Sequence, residues 1–326
     1  MLEVAVVGCG FIGAGEPSAE LGVQSHLAAW TRHPEARVVA VADPDEARRE
    51  AAVRRWAVPR AFDGLEELLE RARPEIVSLC GPDRVHAEQL RMALGARSVR
   101  AILAEKPLAL EVVEAERATE LARSRGVTLA VNHGRRFLPS HRALRSWLAA
   151  GGIGEIEAVE GCYVRGVKHN GTHWLDLARY LVGEVVEIAG EGETGGDDPT
   201  IDATLRFAGG ARGRLLGLRS LETSLFEMDL FGSAGRARLV EAGQRFEITA
   251  PRASRRFAGF RELAPAAGPK GGLHDLLWHP VEALVRALRE GSDPACTGED
   301  ATRALQLALE AIESADRARS HAAQRA

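Results

Sequence analysis

The chain opens on a continuous apolar run, Leu2 to Val7, that ends in Gly8-Cys9-Gly10-Phe11-Ile12-Gly13. No later feature limits the fold as much. A run that is apolar at every position, without alternation, suits a strand of a parallel sheet buried on both faces. The spacing G-x-G-x-x-G then predicts a turn from that strand into a helix whose start binds a pyrophosphate. Gly8 makes the tight turn, Gly10 lets phosphate approach the backbone, and Gly13 lets helix and strand pack closely. Alone the motif is weak, because glycine-rich turns arise for many reasons.

Three further strand ends strengthen it. Arg37 to Ala42 reads as a second strand and stops at Asp43, where a carboxylate accepts hydrogen bonds from adenosine ribose hydroxyls. The gap from Gly13 to Asp43 is long, and the surplus falls in Ala14–Ser18, which Pro17 keeps out of regular helix. Ile76 to Cys80 is a third buried strand, stopping at Gly81-Pro82. Asp83 is placed to cap a following helix that carries His86 and ends near Gly95. Ala101 to Ala104 is another strand and delivers Glu105 and Lys106 at its carboxyl end. Ligands of open parallel sheets bind outside the carboxyl ends of the strands, so all these residues converge on one edge. Between the strands, Asp63-Gly64-Leu65-Glu66 has capping-box spacing. Glu111 to Arg125 is periodic and stops at Gly126, and Val127 to Val131 is a further strand leading out of the domain.

Composition narrows the class. At 326 residues two domains are expected, and 45% hydrophobic with 27% charged residues is ordinary for a globular chain with a sizeable core. The net charge of −4, with both signs interspersed, offers no basic stripe for nucleic acid. The longest apolar runs are strand-sized, so no membrane span is expected. No secretory signal is visible at the N-terminus, which points to the cytoplasm. Cys9, Cys80, Cys162 and Cys296 are scattered, read as small buried residues of a reducing compartment, and form no zinc site.

Lysine usage singles out one residue. Of 42 basic Lys and Arg residues only three are lysines: Lys106, Lys168 and Lys270. Lysine offers a compact charge and a pKa that burial can lower, whereas arginine stays charged and offers a flat fork. Lysine is the type wanted of a residue that handles a proton beside a reacting carbon. Lys270 lies in a stretch rich in Arg, Ala, Gly and Pro, Pro251 to Gly272, read as a solvated surface excursion.

With these pieces in order, the chain resembles the glucose–fructose oxidoreductase / inositol dehydrogenase / rhizopine-catabolism (Gfo/Idh/MocA) oxidoreductase family. The matching residues are the glycine turn, the strand ending at Asp43, Gly81-Pro82 with His86, and Glu105-Lys106-Pro107. Asn132 with Arg135-Arg136-Phe137, Gly152 to Ile156, Gly171-Thr172-His173 with Asp176, Gly232 to Gly235 and Gly298-Glu299-Asp300 follow. The resemblance implies an α/β protein with two domains. The first is an N-terminal Rossmann dinucleotide-binding domain, placed at 1–126. The second, at 127–326, is a C-terminal α/β domain with a large open, mostly antiparallel sheet, which binds substrate and joins copies into a homo-oligomer. A helix over about 300–320 is expected to pack back. Cofactor contacts fall on Gly8, Gly10, Phe11, Ile12, Gly13, Asp43, Gly81, Pro82, His86, Glu105 and Lys106.

The resemblance also makes His173 the catalytic acid/base and Lys106 its partner, which holds the substrate oxygen. Imidazole suits that task because its ordinary pKa lies near neutrality. His173, Asp176 and Tyr180 are spaced to share a helix face. Many members carry an aspartate four residues before the histidine. Here His169 stands there, without a permanent negative charge. Lys168, His169, Asn170 and Asp176 are candidate substrate-contacting or assisting residues, with a helix ion pair to Arg179 as the simpler role for Asp176. Gly190 to Thr200 reads as a loop, and Ile201–Phe207, Ala211–Leu218, Leu225–Phe231 and Arg236–Val240 read as strands of the second sheet. His274, Asp275 and His279 read as a helix start rather than a pocket, and Thr297 to Asp300 as a capping box.

The expected activity is NAD(P)-dependent hydride transfer between nicotinamide and a secondary alcohol or ketone of a sugar, cyclitol or sugar nucleotide. Asp43 favours NAD over NADP, since its carboxylate repels a 2′-phosphate. The alternatives are a ketosugar reductase, a glycosidase that uses held NAD as a redox relay, and an NAD-binding sensor without turnover. The sensor is disfavoured because Lys106 and His173 are both present.

Overall fold

In the computed structural model, which describes residues 1–219 and 222–324, Leu2–Val7 forms β1 of a six-stranded parallel sheet. The other strands are β2 (Ala36–Ala42), β3 (Ala61–Phe62), β4 (Ile76–Leu79), β5 (Ala101–Ala104) and β6 (Thr128–Val131). Their order, β3-β2-β1-β4-β5-β6, turns back between β1 and β4 and leaves a crevice at the carboxyl ends of those two strands. The strands are buried on both faces, and β4 and β5 have no exposed position. The helices are α1 (Phe11–Ala14), α2 (His26–Arg32), α3 (Glu46–Trp56), α4 (Leu65–Ala72), α5 (His86–Gly95), α6 (Val112–Ser124), α7 (Pro139–Ala149), α8 (Thr172–Val182), α9 (Trp278–Glu290) and α10 (Gly298–Ala323).

The chain divides into two compact units, 1–137 with 274–303 and 138–273 with 304–326. The last two residues of the expected second domain lie outside the described residues. The expected boundary at 126/127 is corrected by two elements. β6 pairs in parallel with β5, Ala101 to Thr128 through Ala104 to Val131, so it closes the first sheet instead of leaving it. Helix α9 buries Val281, Leu284 and Val285 in one cluster with Leu27, Trp30, Val38, Ile76 and Leu103. That cluster is the first unit's core. Each such aliphatic side chain contributes roughly 1.5–3 kcal/mol by leaving water.

The second unit is built on an eight-stranded sheet of β7 (Ile156–Tyr163), β8 (Val185–Glu191), β9 (Asp202–Phe207), β10 (Arg212–Gly217), β11 (Phe226–Gly232), β12 (Gly235–Val240), β13 (Arg245–Ala253) and β14 (Arg261–Pro265). The order is β14-β13-β12-β11-β7-β10-β9-β8, antiparallel at every neighbour except β10 with β7. One face packs Val159, Tyr163, Leu215 and Leu230 against Leu144 of α7, Trp174 and Leu177 of α8, and Leu307 and Ala311 of α10. The alternate residues, among them Glu160, Arg214, Asp229 and Arg238, line the other face.

Several local expectations give way. The helix after the glycine turn lasts one turn and stops at Ala14; an irregular stretch pinned by a Ser18–Gly22 bridge precedes α2. Asp63 does not cap α4, because the N-cap position falls on Gly64, one residue too late for its side chain. Asp83 opens a 3₁₀ turn, Asp83–Val85, and α5 follows without a side-chain cap. The supposed excursion at Pro251–Gly272 contributes the end of β13 and the edge strand β14. Pro251 is tolerated because it lies beyond Thr249, the last β13 residue paired in register with β12, and so has a strand neighbour on one side only. The Gly190–Thr200 loop loses its first two residues to β8. The capping box of α10 forms as expected: Asp300 N donates to Thr297 Oγ1 and Thr297 N to Asp300 Oδ2, both at 3.2 Å.

Candidate cofactor and catalytic site

The glycine turn sits at the crevice where the strand order turns back. Gly8 has φ +96°, and a Cβ there would stand 2.6 Å from Cys80 O. A Cβ on Gly13 would lie 1.8 Å from Gly8 O. A Cβ on Gly10 would meet nothing within 4 Å. Two glycines therefore serve backbone packing, and the middle one borders open space where a phosphate can approach. Phe11 is 69% exposed and Ile12 41%, unusual for apolar side chains in a folded core turn. With α1 only four residues long, the backbone N–H groups after Cys9, more than a helix dipole, are what the turn offers an anion. A cleft of about 650 Å³ runs from Cys9, Gly10 and Phe11 to Arg48 and Arg55. These features fit a dinucleotide.

Asp43 is buried and works on the protein as well. Its Oδ2 accepts from Cys9 N at 2.7 Å and its Oδ1 from Asp45 N at 2.9 Å. Each oxygen keeps a lone pair for a ribose hydroxyl. Beside it, burial and then the Asp43 charge push the Cys9 thiol up to about 12, which removes thiolate chemistry from the site.

At the end of β5, Lys106 is buried and Glu105 partly so. The Glu105 Oε1 accepts from His26 Nε2 at 3.0 Å and from Asn132 Nδ2 at 2.7 Å. Burial alone pushes the Glu105 carboxyl up. The His26 hydrogen bond and charge, the Asn132 hydrogen bond and the Lys106 charge outweigh it, so the carboxyl lies below its ordinary range. His86 was expected among the cofactor contacts, but it is buried and both ring nitrogens face backbone carbonyls. Nδ1 lies 2.6 Å from Pro107 O and Nε2 2.8 Å from Gly81 O. It straps the loop after β5 to the loop after β4 and shapes the crevice without presenting a ring nitrogen to it. His26 escaped the sequence reading altogether; the one signal was a histidine directly after the N-cap Ser25 and before the apolar Leu27–Trp30.

In the second unit the other candidates gather at one turn. Gly166–Gly171 forms a single wide, π-type turn that runs directly into α8. Such turns recur at functional sites. His173 is half-buried in the first turn of α8, Asp176 is buried one turn on, and His169 is exposed. Asn170 is used locally: its Nδ2 donates to Val164 O at 2.8 Å. Arg179 pairs with Glu184. Lys168 N and His169 N donate to the Asp198 carboxylate at 2.7 and 3.0 Å, so a residue read only as an acidic loop position anchors this turn.

Room and backbone donors for a dinucleotide, beside a buried lysine, are the equipment of a nicotinamide-dependent oxidoreductase. Comparison with known proteins narrows this. The family model described as "Oxidoreductase family, NAD-binding Rossmann fold" matches residues 2–133, and that of the GFO/IDH/MocA C-terminal domain matches residues 166–238. The chain belongs to the Gfo/Idh/MocA family of NAD-binding oxidoreductases, and NAD is its cofactor. It is 25% identical to myo-inositol 2-dehydrogenase of Thermotoga maritima, with 98% of each chain covered. It is 26% identical to trans-1,2-dihydrobenzene-1,2-diol dehydrogenase of Bos taurus, over 71% of this chain and 73% of that one. The fold matches that of levoglucosan dehydrogenase in complex with NADH, with a TM-score of 0.81, 19% identity and 97% of each chain covered.

Proposed function

We propose that the protein oxidises a secondary alcohol on a sugar, cyclitol or sugar nucleotide, with Lys106 and His173 as its catalytic pair. NAD, when bound, supplies the hydride acceptor at C4 of its nicotinamide. His173 takes the hydroxyl proton as the hydride leaves the carbon. Lys106 donates to the same oxygen and stabilises the negative charge that grows on it. The glycine turn and Asp43 hold the cofactor, and Lys168 contacts substrate hydroxyls. The observation that carries this reading is Lys106 itself: a rare lysine, buried, at the carboxyl end of a parallel strand next to an ionised Glu105. The names of the relatives, a dehydrogenase of myo-inositol and one of a dihydrodiol, support the substrate class.

The test is a screen of polyols, aldoses and sugar nucleotides for NADH formation by the pure protein. One class should give turnover that saturates. NADH consumption by ketosugars with no alcohol oxidised would turn the assignment into a reductase, a direction that the exposed His169, without a permanent negative charge and standing where the resemblance implies an aspartate, keeps open. Domain roles follow the units, with the glycine-turn unit holding the cofactor. We further assign the protein to the cytoplasm, on its four free cysteines. We also assign it to a homo-oligomer formed through the charged face of the second sheet. Sedimentation of the pure protein tests the latter.

A further inference from the structure

His26 is a fully buried titratable side chain with no part in the chemistry above. It is the first residue of α2, and its Nε2 lies 3.0 Å from Glu105 Oε1. A carboxylate only accepts, so Nε2 carries the hydrogen. The other ring nitrogen, Nδ1, is buried with no partner among the described residues, and so is Oδ1 of Asn132. Two side chains from separate elements thus spend one polar atom each on the same carboxylate oxygen and leave the second unsatisfied. Unsatisfied buried polar atoms are costly, so the arrangement is retained against a penalty. The residue they fix is the direct neighbour of Lys106.

We propose that His26 is a positioning residue which, by holding Glu105 as a fixed carboxylate, keeps Lys106 in its proton-bearing form. The inference rests on the catalytic reading of Lys106. A buried carboxylate stripped of donors takes up a proton or turns away, and either change removes the negative charge beside the lysine. Among the described residues, four groups act on or feel the charge of Glu105. His26 comes from α2, uncharged Asn132 from just after β6, Lys106 from the next position in the chain, just after β5, and Cys80 from just after β4. Burial, with Glu105 adding to it, pushes the Cys80 thiol up, so Cys80 stays neutral. The lowered Glu105 carboxyl agrees with a site built to hold the charge.

The experiment is pH-dependent competitive acetylation of the intact protein, read by mass spectrometry at each of its three lysines, with Lys270 as the exposed reference. His26→Met fills the space without donating; Glu105→Gln removes the charge directly. Both should lower the apparent pKa of Lys106 by about one unit, a tenfold rise in its ratio of neutral to charged amine at a given pH. His26→Gln, which restores an N–H donor, should titrate Lys106 as the wild type does. If the Met variant fails to fold, the Gln variant still decides: a lowered Lys106 value there overturns the proposal. So does a Met variant that titrates Lys106 like the wild type. Acetylation requires no turnover, so its outcome stays readable even if the dehydrogenase assignment fails, and that assignment is tested separately by Lys106→Met.

Discussion

The Asp43 Oδ2 accepts a 2.7 Å hydrogen bond from the backbone N–H of Cys9, which ties the end of β2 to the glycine turn after β1. One carboxylate therefore shapes the glycine turn, and we propose that the same charge repels a 2′-phosphate. Asp43→Asn keeps the size and an acceptor but removes the charge. NAD affinity should fall by about 2 kcal/mol, the worth of hydrogen bonds to an ionised acceptor, while NADP gains relative to NAD. Fluorescence titration with NADH and NADPH measures both. An unchanged ratio of the two affinities would show that the Asp43 charge does not select the cofactor.

Gly10 and Gly13 belong to the same motif but should fail differently. Gly10 has an ordinary φ of −71° and space around a Cβ, so Gly10→Ala should melt close to the wild type and bind NAD poorly. In Gly13→Ala the new methyl would stand 1.8 Å from Gly8 O, and backbone must move. Overpacking costs of about 1–3 kcal/mol or more are expected, seen as a lower Tm in the absence of cofactor. Equal melting of the two variants would contradict these separate roles.

Lys106→Met should lose hydride transfer by a factor on the order of 10² to 10⁴, the usual range for a proton-handling group. NAD affinity should stay within about twofold. His173→Asn should show a similar loss by the same criterion. Single-turnover NADH fluorescence with a substrate found in the screen separates chemistry from binding. Turnover by Lys106→Met at the wild-type rate would remove Lys106 from the mechanism.

The first sheet was legible because its strands are buried on both faces and their ends carry the site: Asp43, Gly81 and Lys106 all fall where the apolar runs stop. Of the second sheet, β9 to β12 fall within a residue or two of the runs read as strands, whereas β13 was not read. What escaped was set by tertiary context. Whether Asp63 or Gly64 caps α4 depends on one residue of phase. Strand β14 is recognisable only once β13 lies beside it. The Thr128–Val131 run has no local mark saying which sheet it joins. His26 reaches Glu105 across 79 residues of sequence, and Asp198 reaches Lys168 across 30, so neither partnership leaves a spacing to read.

The lowered Glu105 carboxyl also sets a pH dependence of stability. Its folded-state pKa lies below the unfolded value, about 4.3 for a free glutamate. The pair with His26 and Asn132 therefore stabilises the fold fully above that value, and the gain is lost as pH falls through the folded pKa. Glu105→Gln cannot titrate. It should be less stable than the wild type at neutral pH by about 1–2 kcal/mol, the difference between a charge-assisted and a neutral hydrogen bond. The two stability curves should then converge below the ordinary carboxylate range, where the wild-type side chain is also neutral. Other acidic residues are common to both proteins and cancel in the difference. Urea denaturation across pH 7 to roughly 3 measures it. A constant gap across that window would mean that Glu105 carries no stabilising charge in the folded state.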